Sequence, residues 1–170
     1  LSYLAYAWKG RLNMLHQCLL VTHVFSSCVL FASGIMTALV LVIPRLTGSV
    51  PEIALAARRV VRSDWCLTCP SGIIQPITGV WLAIMDGYSL LSPWLVLTYA
   101  AYLLAALCWF PVVGLQIRMA REAETAVIRG ESLPPSFQRA FLWWFALGWP
   151  AFIGLVAVFW LMVNKPVFGG

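Results

Sequence analysis

The chain has 170 residues, is 62% hydrophobic and only 10% charged, and carries a formal net charge of +5. A soluble domain of this length cannot bury so much apolar surface, which excludes ordinary soluble enzymes and points to an integral membrane protein. Nor is the positive charge a nucleic-acid footprint: the arginines fall in loops between apolar stretches, where they set topology and meet anionic headgroups.

Charged residues frame the elements. Between Arg11 and Arg45 lie 33 residues without Asp, Glu, Lys or Arg. Asp64 and Asp86 enclose 21 more, Asp86 and Arg118 enclose 31, and Arg139 and Lys165 enclose 25. A spanning helix needs about 20 apolar residues, and continuous runs favour helices over the alternation of a barrel. Spans are predicted near 15–43, 70–88, 93–117 and 140–163. The expected fold is an all-α integral membrane protein, a four-transmembrane-helix bundle with antiparallel up-down order, forming one membrane domain over residues 1–170.

The opening "LSYLAYAWKGRLN" lacks an initial Met, and its Lys9 and Arg11 follow the apolar residues, unlike a signal peptide. It reads as an interfacial segment with Tyr3, Tyr6 and Trp8 at headgroup depth. Span 1 follows, with His16, His23, Ser26, Ser27, Ser33 and Thr37 among its apolar residues. After it, Ser49 to Glu52 has capping-box spacing with Pro51 in the first turn. A short cytoplasmic interfacial helix over about 50–62 is expected between spans 1 and 2. Its Ile53, Leu55, Val60 and Val61 would rest on the membrane.

Asp64 is placed as a helix N-terminal carboxylate opening span 2, with Arg58 or Arg62 as counter-ion. Within span 2, Pro76 frees the backbone carbonyl of residue 72, and the Gln75 amide must find a partner in hydrocarbon. Gly79, Ala83 and Gly87 form a small-residue stripe for helix packing or a homodimer seam. A short loop makes spans 2 and 3 an antiparallel pair. Span 3 keeps helical character past the bilayer, with Gln116 interfacial, an Arg118–Glu122 pair and Gly130 as C-cap.

Orientation follows from the arginines. The two loops on one side hold Arg45, Arg58, Arg59, Arg62, Arg118, Arg121, Arg129 and Arg139; the other side has Lys9, Arg11 and Lys165. The positive-inside rule makes the arginine-rich loops cytoplasmic and both termini external.

Candidate chemistry centres on His23 in span 1, since imidazole ligates haem iron or a metal and passes protons. His16 lies seven residues earlier on the same helix, about 10 Å away, so the two cannot clamp one haem within a monomer. A second ligand would be Met36, Met85 or a dimer mate. The plain reading of His23 is a histidine hydrogen-bonded to a neighbouring span. Trp109, Phe110, Trp143 and Trp144 read as belt and packing aromatics rather than a cofactor box.

Five cysteines are present. Cys18, Cys28 and Cys108 fall at spans, where Cys behaves as a small hydrophobe. Cys66 and Cys69 have metal-knuckle spacing, yet a structural zinc needs four ligands and the cytoplasmic loops offer no other Cys or His. They are weak metal candidates, and no metal site is expected.

Several stretches together carry a resemblance: "LLVTHVFSSCVLFASG", "DWCLTCPSGIIQPITGVWLA", "PWLVLTYAAYLLAALCWFPVVGLQIRMA" and "FWLMVNKP". The chain resembles the bacterial four-span family called domain of unknown function 2269. That family in turn is similar to copper-resistance-type and haem-binding four-span proteins, in which a first-span His and a basic residue elsewhere serve a haem. The resemblance implies a multi-pass bacterial inner-membrane protein, with His23 and Lys165 as haem-serving positions. The chain departs from the family pattern at Cys66 and Cys69, where apolar or small residues are usual.

Two readings of function follow. One is an accessory or structural subunit of a membrane complex, a respiratory one included, or a homo-oligomer, with lipid and other membrane subunits or itself as partners. The other is a membrane redox protein binding haem b or a quinone around His23, Gln75 and Trp109. A transporter ranks third, because no intramembrane carboxylate is apparent. No catalytic residue set emerges.

Overall fold

The structure is a computed structural model that describes the backbone of residues 2–166, with side chains from Leu12 to Pro166. The side chains of Tyr3, Tyr6, Trp8, Lys9 and Arg11 lie outside the described residues. Four helices are long and apolar enough to cross a membrane: Leu12–Thr47, Val50–Met85, Pro93–Arg129 and Pro135–Asn164. The expected all-α four-span bundle is therefore present, and its spans run antiparallel in chain order.

The first helix, α1 (Ser2–Thr47), ends at a tight turn. A Cβ on Gly48 would lie 2.7 Å from the Pro44 carbonyl oxygen, so only glycine fits there. Glu52 accepts a hydrogen bond from the Ser49 N–H at 2.9 Å, which starts α2 (Val50–Ser63) as the capping-box spacing predicts.

α2 is not a separate interfacial helix. It continues through a widened turn at Asp64–Thr68 into α3 (Cys69–Met85), making one 36-residue helix. In that turn the Cys69 N–H bonds the Asp64 carbonyl five residues back, the π-helical pattern. Pro70 explains the widening, because it has no N–H and its ring crowds the carbonyl four residues earlier. The apolar face of α2 also differs from expectation. Ile53 and Val60 are buried against protein, while Leu55 is exposed. The reason is α4 (Pro93–Arg129), whose last turns run beside α2 and cover that face.

The helix α5 (Pro135–Asn164) returns along α4. A Cβ on Gly154 would meet the Ala101 carbonyl oxygen at 3.0 Å, so the two helices approach closely there. Gly130 adopts a left-handed C-cap at φ 65°, and Arg118 pairs with Glu122 at 2.8 Å, both as expected. Arg58 pairs with Glu124, not with Asp64.

The bundle is two hairpins, α1 with α2–α3 and α4 with α5. At the arginine-rich end they share a core of Leu41, Ile53, Val60, Met119, Ala123 and Phe137. At the opposite end Ala83 of α3 packs with Trp94 and Leu95 of α4, and two cavities open between the hairpins.

Candidate functional site

Facing positions on α1 and α3 pair in a regular antiparallel ladder. His23 meets Thr78, Ser26 meets Gln75, and Ser33 meets Thr68. Each pair supplies polar contact where lipid tails offer none, and this holds the first hairpin together. The predicted polar stripe of span 1 is real: Ser26, Ser33 and Thr37 are all buried.

His23 sits at the centre of one cluster. Its Nδ1 lies 2.8 Å from Thr78 Oγ1. The Thr78 hydroxyl donates its single hydrogen to the Ile74 carbonyl at 2.7 Å. Thr78 must then accept from the imidazole, so Nδ1 carries the proton and Nε2 keeps its lone pair. Nε2 has no hydrogen-bond partner among the described residues, and His23 lines a cavity of about 350 Å³.

Gly79 is the floor beneath the ring, since a Cβ there would sit 3.0 Å from His23 Cε1. Gln75, 8% exposed, donates from Nε2 to the His23 carbonyl and to Ser26 Oγ, both at 2.6 Å. Pro76 leaves the Gly72 carbonyl without its helical donor, and the Tyr102 hydroxyl of α4 donates to that oxygen. The lost backbone bond is thus replaced across the two hairpins.

The other candidates separate. Lys165, in a left-handed C-cap at φ 42°, donates to the Tyr88 hydroxyl at 2.9 Å and lies 4.6 Å from the Tyr88 ring centroid. It lines the same cavity as His23 and Gln75. His16 instead pairs with Asp86 at 2.7 Å near the terminal end. Trp109 lines a second cavity, of about 530 Å³, so His23, Gln75 and Trp109 do not form one site. Phe31, Tyr102 and Leu155 line both cavities and stand between them. Met36 is exposed and Met85 lines neither cavity; Met162 is the methionine on the His23 cavity.

Of the packing stripe, Gly79 and Ala83 meet neighbours, but Gly87 lies in the turn after α3 at φ 76° with nothing near it. A left-handed turn, not helix contact, is its reason for being glycine. Cys66 is an exposed free thiol and Cys69 a partly buried one. Among the described residues no three His, Cys, Asp or Glu side chains gather to hold a metal ion.

Asp64 is the residue whose place the sequence conceals. It is 4% exposed and carries no cationic partner among the described residues. Thr68 Oγ1 donates to its Oδ1 at 2.9 Å, and Ser33 meets the same hydroxyl at 3.0 Å. Gln116 and Trp109 also approach the carboxyl from α4. Gln116 is 2% exposed, buried against protein. The usable signal is the spacing Ala57, Val60, Asp64, Ser71, Gln75, with the half-buried Thr68 between, which is one inward helix face once residues 50–85 are taken as continuous.

No curated protein and no solved structure matches the chain. A family described as predicted integral membrane protein, DUF2269, matches residues 17–166, from the His23 helix through Lys165 and Pro166. The match covers all four spans and both cavities, and the chain belongs to that DUF2269 family of integral membrane proteins.

Proposed function

We propose that this protein holds haem b in the cavity beside His23 and works as a membrane electron-transfer subunit. One observation carries the reading. The Thr78 hydroxyl fixes the His23 tautomer so that an unprotonated, unpartnered Nε2 belongs to a residue lining an intramembrane cavity. Metal-ligating histidines characteristically donate their other ring N–H to a partner of this kind.

The residues present fit the group. His23 would hold the iron through its free ring nitrogen, Met162 would offer a thioether on the same cavity, and Lys165 would supply a cation for a carboxylate of the group. Haem, when bound, supplies one-electron chemistry. The chain's own work is to hold the imidazole still, through Thr78 and the Gly79 floor, and to keep water out with Leu82, Leu95 and Phe159. Electron transfer needs a donor and an acceptor, so the reading implies partner subunits in the membrane. The arginine-rich end faces the cytoplasm in a bacterial inner membrane, by the positive-inside rule.

The test is the absorption spectrum of the purified protein. A Soret band that His23→Ala abolishes supports the reading. A colourless, folded protein that takes up no added haemin overturns it and returns the chain to the accessory-subunit reading.

A further inference from the structure

We propose that the larger cavity binds the head of an isoprenoid hydroquinone, and prefers this reduced form to the quinone. The cavity, about 530 Å³, lies between the hairpins on the arginine-rich side of Tyr102. Its wall is overwhelmingly apolar and rich in flat rings, with Trp144, Phe145 and Trp149 contributed by α5. Its polar groups gather around the buried Asp64 and Thr68.

Two atoms there are left over. Gln116 Oε1 and Trp109 Nε1 are both buried and have no hydrogen-bond partner among the described residues. Both side chains come within reach of the Asp64 carboxyl, but the Trp109 N–H does not meet it at hydrogen-bond geometry and Gln116 Oε1, an acceptor, cannot bond a carboxylate. Buried polar atoms are paired in nearly all proteins, so an orphaned acceptor and an orphaned donor on one cavity wall point to a missing partner. That partner must donate one hydrogen bond and accept another. A hydroxyl does both. An aliphatic alcohol has the hydroxyl but no ring to meet the aromatic wall. A quinone has the ring, but its carbonyls only accept, which leaves Gln116 Oε1 unpaired. A hydroquinone has the ring and the hydroxyl, and its isoprenoid tail suits a cleft bounded by transmembrane helices. Tyr102 borders both cavities, but Asp64, Thr68, Trp109 and Gln116 line this one alone, so the site stands whether or not haem is bound.

The test uses the full chain in nanodiscs, immobilised on resin under argon, with decylubiquinol and decylubiquinone as probes and empty nanodiscs as blank. Retained probe is extracted and quantified. The quinol is expected to bind about tenfold more tightly than the quinone, the effect of one buried acceptor gaining its partner. Gln116→Leu abolishes that preference. Trp109→Phe weakens both forms alike and keeps the preference, since both accept from the indole. Equal affinity of the two forms overturns the proposal, as does retention of neither, which leaves water as the occupant. Displacement of the quinol by equimolar decanol removes the requirement for a ring and also overturns it. The wild-type preference and the Trp109→Phe result need no Gln116 variant to fold.

Discussion

The Gln75 amide nitrogen lies 2.6 Å from both the His23 backbone carbonyl and Ser26 Oγ, so one side chain of α3 grips α1 at two points. Gln75→Leu removes both bonds at nearly constant volume. Stability in detergent should fall by about 1–2 kcal/mol, the scale of intramembrane hydrogen bonds. Thermal unfolding followed by circular dichroism measures it, and an unchanged midpoint would show the grip contributes nothing.

Thr78 acts on His23 at one remove. Thr78→Val keeps the shape and deletes the acceptor that orients Nδ1. Haem retention should drop about 10–100-fold, as for other partners of ligating histidines. Titration of the apoprotein with haemin reads the affinity. Thr78→Ser, which keeps the hydroxyl, should restore most of it.

Tyr102 and Pro76 form a testable couple. Tyr102→Phe leaves the Gly72 carbonyl unpaired in hydrocarbon and should destabilise by about 1–2 kcal/mol. Pro76→Ala gives that carbonyl its helical N–H back, so Tyr102→Phe should then cost less. A double-mutant cycle should return a coupling of about 0.5–1.5 kcal/mol. Strict additivity would mean the hydroxyl serves some other purpose.

Gly154 sets the spacing of α4 and α5. Its Cβ position is only 3.0 Å from the Ala101 carbonyl oxygen and 3.5 Å from Ala105 Cβ. Gly154→Val should force the helices apart and destabilise by about 1–3 kcal/mol, as overpacking does elsewhere. The unfolding midpoint checks this, with Gly114→Val as control because nothing lies near Gly114.

Orientation is read from the α4–α5 loop. Glu131 is exposed there, whereas Cys66 and Cys69 lie within a continuous span-forming helix and report poorly on sidedness. Glu131→Cys should react with a membrane-impermeant maleimide only in inside-out vesicles. Reaction in intact spheroplasts would reverse the assigned topology.

The four spans were legible because charge is so costly in lipid that Arg45, Asp86, Arg118 and Arg139 bracket them. Local signals such as Glu52, Gly130 and the Arg118–Glu122 pair were equally plain, since each depends only on residues a turn away. Asp64 was not. An acidic residue six positions before a proline looks like a helix start, and the two helices read as separate at the place where they are one. Which face of α4 meets α2 is a tertiary fact, so the burial of Ile53, Val60 and Gln116 left no local trace. His23 and Trp109 looked like one site for the same reason: span depth is readable from a sequence, but helix rotation about the bundle is not.

The widened turn at Asp64–Thr68 has a geometric consequence for the whole long helix. Each residue added to a helix rotates everything beyond it by about 100°. Before the turn, the helix packs against both α4 and α1; after it, against α1. The widened turn sets the rotational phase between the two halves, so that Val60 before it and Gln75 after it are both buried. Deleting one position between Trp65 and Leu67 would keep either half in register but not both, swinging Gln75 and Thr78 away from His23 or Val60 out of the core.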